Sequence, residues 1–191
     1  MKRSYFNQKG FTSYEILIGL LIVGSLAVIA TTANKFIKEY SNISALKADI
    51  NIIREATRRF QRDLGFLPRD VWRGVDPGLS YKNGWQKGEH SFQWEHLDLS
   101  TWNGPYLKQW RRNPWGGYYE LHYLGSGTNY LGIHGPAVFL TLKPLHYGGR
   151  DGMPDRRIEK YLEKQGIDLS LWKDNIVILI LVENVHESEH L

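Results

Sequence analysis

From Ile16 to Ala33 the chain carries no charge and is rich in Ile, Leu and Val. About 20 such residues in a helix cross the roughly 30 Å apolar core of a bilayer. Past that run the pattern turns amphipathic, with apolar residues at Phe36, Tyr40, Ile43, Leu46, Ile50, Ile53, Phe60 and Leu64. Steps of three, four and seven are a helical period. No proline lies between Phe11 and Leu67, and no glycine between Gly24 and Gly65. One helix from Phe11 to about Leu64 is therefore predicted, roughly 80 Å long at 1.5 Å per residue, with two separate helices as the alternative. Gly65 and Pro68 supply its stop signal. Its first half is free to meet lipid or other helices, and its second half carries one stripe to dock on a sheet.

Residues 66–118 read as loop with short elements, because "PRD", "DPG", "NG", "NGP" and "NPWGG" are turn chemistry. Trp72, Trp85, Trp94, Trp102, Trp110 and Trp115 are scattered through this loop. They suit a stacking surface for sugars or bases. The plainer and preferred reading is aromatics pinning down a long loop. Three apolar β-rich runs follow, "YYELHYL", "AVFLTL" and "IVILILVE", and read as antiparallel strands. Pro154 to Gly166 reads as a short helix with Ile158, Tyr161 and Leu162 inward. A long helix on a small antiparallel sheet is an α+β arrangement.

The 191 residues fit one membrane segment plus one globular domain. With no cysteine in the chain, disulfides and thiolate metal sites are excluded. The net charge of +4 is largely positional: Lys2, Arg3 and Lys9 precede the apolar run, and without them 21 basic residues face 20 acidic ones. That balance gives little ground for a nucleic-acid partner. Basic residues before the span also favour a cytoplasmic leader and an exported domain. Arg54, Arg58 and Arg62, with Arg59 beside them, form a row on the helix that reads as a solvated face pairing with Glu55 and Asp63.

The carboxylate of Glu15 stands at the lip of the apolar run, where an ionisable group calls for a functional partner. Three readings of the N-terminus are open. One is a cleaved secretory signal cut after Ala30 or Ala33, and the second is a plain anchor. Neither accounts for Glu15 or for Gly-Phe between leader and span. The third follows from "KGFTSYE", which resembles the processing site of type IV prepilins and type II secretion pseudopilins. The resemblance implies a cut between Gly10 and Phe11 by a prepilin peptidase, with N-methylation of Phe11. It also makes Glu15 the partner of a neighbouring subunit's Phe11 ammonium during assembly, since a buried charge is tolerable chiefly when paired.

A second stretch, "NGPYLKQWRRNPWGGYYELHY", is similar to a segment of the major pseudopilins. There a Gly-Tyr-Leu stretch leads to Asp-Pro-Trp-Gly-Asn-Pro-Tyr. Pro105-Tyr106-Leu107 and Pro114-Trp115-Gly116 match, Asn113 stands where the family has aspartate, and Gly117-Tyr118 replaces Asn-Pro. "DLGFLPR", Asp63 to Arg69, resembles the family's helix exit.

The family implies a pilin-like fold and a single-pass protein of the bacterial inner membrane with its C-terminal domain in the periplasm. Residues 1–10 are then the leader, 11–34 the membrane and fibre-core helix, 35–65 its amphipathic continuation, and 66–191 the globular domain. Partners would be other copies, other pilins or pseudopilins, the peptidase and an inner-membrane assembly platform. The alternative within the family is a minor pilin that binds DNA or glycan.

Two further motifs bear on chemistry. "HESEH", His186 to His190, matches the zinc-protease H-E-x-x-H pattern, but it directly follows a strand with only Leu191 beyond. That chemistry needs both histidines on one face of a helix plus a third ligand, so no enzyme is expected. "YGGRDGMPD" holds D-G-x-x-D at Asp151 and Asp155, the second half of a calcium loop whose first-half carboxylates and final glutamate are missing. The residues alone read as a capped turn, and no cofactor is required. The family resemblance adds calcium on Asp151 and Asp155 as the one candidate metal site.

Overall fold

A computed structural model describes residues 10–87, 94–130, 132–147, 149–154, 162, 169–172 and 175–182. One helix, α1, runs over Ser13–Leu64. It ends where Gly65 takes a φ of 77° and its N–H donates to the carbonyl of Gln61 at 2.8 Å. Glycine enters that left-handed cap without steric cost. The chain divides into two compact units, Met1–Ser41 and Asn42–Leu191.

In the first unit, every described residue from Gly10 to Lys38 is exposed. The predicted stripe positions Phe36 and Tyr40 are also exposed, and the buried stripe begins at Ile43.

In the second unit, α1 buries Ile43, Leu46, Asp49, Ile50, Ile53, Ala56, Thr57 and Phe60. Strands β1 (Tyr118–Leu124), β4 (Ala137–Lys143), β5 (Leu169–Trp172) and β6 (Asn175–Val182) form an antiparallel sheet in the order β1-β4-β6-β5. A separate small hairpin pairs β2 (Asn129–Tyr130) with β3 (Ile133–His134). The period of two sends Tyr119, Leu121, Val138, Leu140, Leu142, Ile176, Ile178 and Ile180 to the core shared with α1. Ala137, Phe139 and Val177 form a smaller cluster on the opposite face. The α+β arrangement is thus present.

The loop after α1 joins the same core through Leu67, Val71, Leu79, Trp94, Tyr106 and Leu107. Its backbone also closes one sheet edge, since Val71 N donates to Leu121 O and Gly74 N to Tyr119 O. The aromatics act as pins. Trp85 stacks on Trp94 at 5.7 Å, and the Trp102 indole donates to Gly78 O at 2.9 Å. Leu162 is buried in the core, while Ile158, Tyr161 and the rest of the helix predicted at Pro154 to Gly166 lie outside the described residues beyond Pro154 itself.

The arginine row departs from a purely solvated face. Arg54 donates to Ile180 O at 3.0 Å and to Leu179 O at 3.4 Å, and Arg59 donates to Tyr106 O. Two of the four therefore fasten the helix to strand and loop carbonyls. Arg58 remains outward, 3.8 Å from Glu55.

Candidate assembly surface

The N-terminal candidates sit together at the start of α1. Gly10 is exposed and Phe11 is 84% exposed, both before the first helical residue. Thr12 is the helix cap. Its N–H and its hydroxyl each donate to Glu15 Oε2 at 2.8 Å, and Glu15 N donates back to Thr12 Oγ1 at 3.3 Å. That reciprocal pattern is a capping box, which satisfies N–H groups the first turn leaves without partners. The T-x-x-E spacing announces it in the sequence. The carboxylate also lies in the first turn, where the helix dipole favours negative charge.

Along the span, polar side chains close on their own helix. Ser25 Oγ donates to Ile22 O at 2.8 Å, and Thr31 and Thr32 each donate to Val28 O at 2.9 Å. Hydroxyls satisfied in this way carry no open donor into an apolar surrounding. The helix is long and apolar enough to cross a membrane.

Asp151 lies elsewhere, on an exposed loop, where its carboxylate contacts His146 Nδ1. The hydrogen bond from His146 holds that carboxyl below the usual aspartate range. Asp155, the other proposed calcium ligand, lies outside the described residues, as does "HESEH". Among the described residues no group of three or more His, Cys, Asp or Glu side chains is placed to hold a metal.

A second feature, absent from the sequence reading, is a buried carboxylate on the docking face of α1. Asp49 is 4% exposed, pairs with Arg111, and accepts the Tyr119 hydroxyl at 2.8 Å. Burial raises the Tyr119 phenol well above its ordinary value, although Arg111 opposes the shift. Beside this network is a cleft of about 340 Å³, lined by Ile52, Lys108, Trp110 and Arg111 among others. The signal was an acidic residue inside an apolar stripe, three after Leu46 and four before Ile53.

Asn113 shows what the family-like turn does in this chain. It is 3% exposed, its Oδ1 accepts from Trp115 N and Gly117 N, and its Nδ2 donates to Tyr118 O. An aspartate could make the first two bonds and not the third.

Comparison with known protein families, curated proteins and solved structures finds no match to this chain.

Proposed function

We propose that the chain is a structural subunit of a pilin-like fibre, a type II secretion pseudopilus or a type IV pilus, assembled through its N-terminal helix. One observation carries the reading. Every described residue from Gly10 to Lys38 is exposed, including the whole Ile-, Leu- and Val-rich run, so its cover must come from outside the described chain. A bilayer before assembly and neighbouring helices after it would supply that cover.

The local geometry agrees with processing between Gly10 and Phe11. That peptide bond precedes the helix and is open to a peptidase, and cutting it leaves the Thr12 cap in place. The cut creates an ammonium at the positive end of the helix dipole, and the Glu15 carboxylate opposes both charges. The subunit then resides in the inner membrane with a periplasmic domain, and its partners are further copies, related subunits and the assembly platform.

Mass spectrometry of the mature protein tests this. N-methylated Phe11 is the expected N-terminus. Thr31 or Asn34 would mean a secreted protein, and an intact Met1 a plain anchor.

A further inference from the structure

Just past the apolar run, α1 changes character within a turn and a half. Phe36, Ile37 and Tyr40 are each at least 67% exposed. Spacings of three and four put them on one side of the helix. Lys35 and Lys38, both exposed, share the other side with half-buried Glu39. Tyr14, also exposed, stands at the other end of the run in the same compact unit.

The distances along the helix match a bilayer. Ile16 to Ala33 is 18 residues of unbroken helix, roughly 27 Å long and close to a hydrocarbon core of about 30 Å. From Tyr14 to Tyr40 is a step of 26 residues, roughly 39 Å, against about 40–45 Å for a bilayer with its headgroup layers. With the run filling the core, the two tyrosines stand at the depth of opposite headgroup layers.

The side chains suit that depth. A tyrosine ring takes an apolar surrounding while its hydroxyl takes water, and a lysine lays its methylenes on lipid while its ammonium reaches out. Tyrosine marks membrane interfaces for this reason. Contact between membrane helices instead favours small side chains that let backbones approach, and Phe36, Ile37 and Tyr40 are bulky.

We infer that Phe36, Ile37 and Tyr40, with Lys35 and Lys38, form a collar that binds the phospholipid headgroup layer on the far side from Tyr14, the lysines facing anionic headgroups. The inference rests on the membrane reading of the proposed function and adds a register to it. Residues 35–40 belong to the headgroups rather than to open water, and a subunit entering a fibre must be stripped of them.

The chain has no cysteine, so a single introduced one takes a label uniquely. Spin labels at Val23→Cys and at Ile37→Cys are read in full-length protein in phosphatidylcholine vesicles, with and without phosphatidylglycerol. Collisions with oxygen report lipid, and collisions with a neutral nickel chelate report water. Val23 should meet oxygen and little nickel, and Ile37 should fall between Val23 and a label free in buffer. Phe36→Ser with Tyr40→Ser should raise nickel access at Ile37 about twofold or more and leave Val23 unchanged. Phosphatidylglycerol should lower nickel access at Ile37 about 1.5-fold, an effect lost in Lys35→Gln with Lys38→Gln and kept in Arg58→Gln with Arg62→Gln. The collar is overturned if Val23 is in lipid while Ile37 meets nickel as freely as in buffer, or if the serine pair or phosphatidylglycerol changes nothing. It is overturned too if Ile37 is shielded from both reagents, since a neighbouring copy then covers that face. If Val23 itself reports water, the proposed function falls with it.

Discussion

Thr12 and Glu15 hold each other at both ends, with Thr12 N donating to Glu15 Oε2 at 2.8 Å and Glu15 N to Thr12 Oγ1 at 3.3 Å. Glu15 thus has a local task, capping, beside the intersubunit task proposed for it. The two separate by substitution. Glutamine can keep the cap without the charge, and leucine keeps neither.

On the proposed reading, Glu15→Leu should insert and be processed normally, because the apolar run becomes more apolar and the bond proposed for cleavage is untouched. Breaking a buried charge pair costs about 3–5 kcal/mol, so recovery of sheared fibres from cells lacking wild-type subunit should fall by orders of magnitude. Glu15→Gln should fall between the two. Wild-type fibre yield from Glu15→Gln would leave capping as the residue's whole role, and wild-type yield from Glu15→Leu would sink both.

Gly117 is required for close approach rather than for an unusual φ. A Cβ there would lie 2.3 Å from Lys143 O and 2.4 Å from Gly152 O, two backbone atoms that cannot swing aside. Overpacking of this kind costs about 1–3 kcal/mol, which is roughly 2–12 °C in Tm for a unit of this size. Gly125→Ala, whose nearest neighbour would be a Tyr123 ring carbon at 3.8 Å, is the control and should melt with wild type. Thermal scans by circular dichroism compare the two directly.

Glu120 gives the acid limb of stability. Burial pushes its carboxyl up, but the hydrogen bond from His122 and the charges of His122 and Lys143 outweigh it and leave it below the ordinary 4.5. A depressed folded value stabilises above the unfolded value and is lost as pH falls through the folded one. Wild type should therefore lose urea resistance below about pH 4.5, while Glu120→Gln starts lower at pH 7 and changes less on acidification. Parallel urea-midpoint curves for the two proteins from pH 7 to pH 3 would remove Glu120 from the explanation.

Asp49 tests the buried network. Asp49→Ala leaves the Tyr119 hydroxyl buried without its acceptor, whereas half-exposed Arg111 can turn to water. The expected loss is about 2–3 kcal/mol, the cost of one unsatisfied buried donor plus a charge-assisted bond. Tyr119→Phe removes the orphan, so Asp49→Ala with Tyr119→Phe should recover about 1 kcal/mol of it. Chemical denaturation of the four proteins closes the cycle, and strict additivity would show that the pair is uncoupled.

The sequence pattern was most informative where it was long and regular. The helix exit at Leu64 followed from Gly65 and Pro68, and the run "YYELHYL" is β1 residue for residue. Strands β4 and β6 agree to within one residue at each end. Strand β5, four residues long, and the two-residue strands β2 and β3 are too short to set a period. Their pairing comes from the neighbouring strand rather than from their own composition. Arg54 and Arg59 looked solvated because periodicity places a side chain on a face but does not say which carbonyls reach that face. Asp49 stayed hidden for a related reason. Its partners, Arg111 and Tyr119, are 62 and 70 residues away.

The bond from Arg54 to the carbonyl of Ile180 joins groups 126 residues apart. Ribosomes add about 5–20 residues per second, so roughly 6–25 seconds pass between the synthesis of these two partners. Throughout that interval the apolar stripe from Ile43 to Phe60 lacks the strand that completes its cover. A nascent chain of this protein therefore presents a sticky helix well before it can fold, and its yield should depend on whatever shields that helix while β6 is still being made.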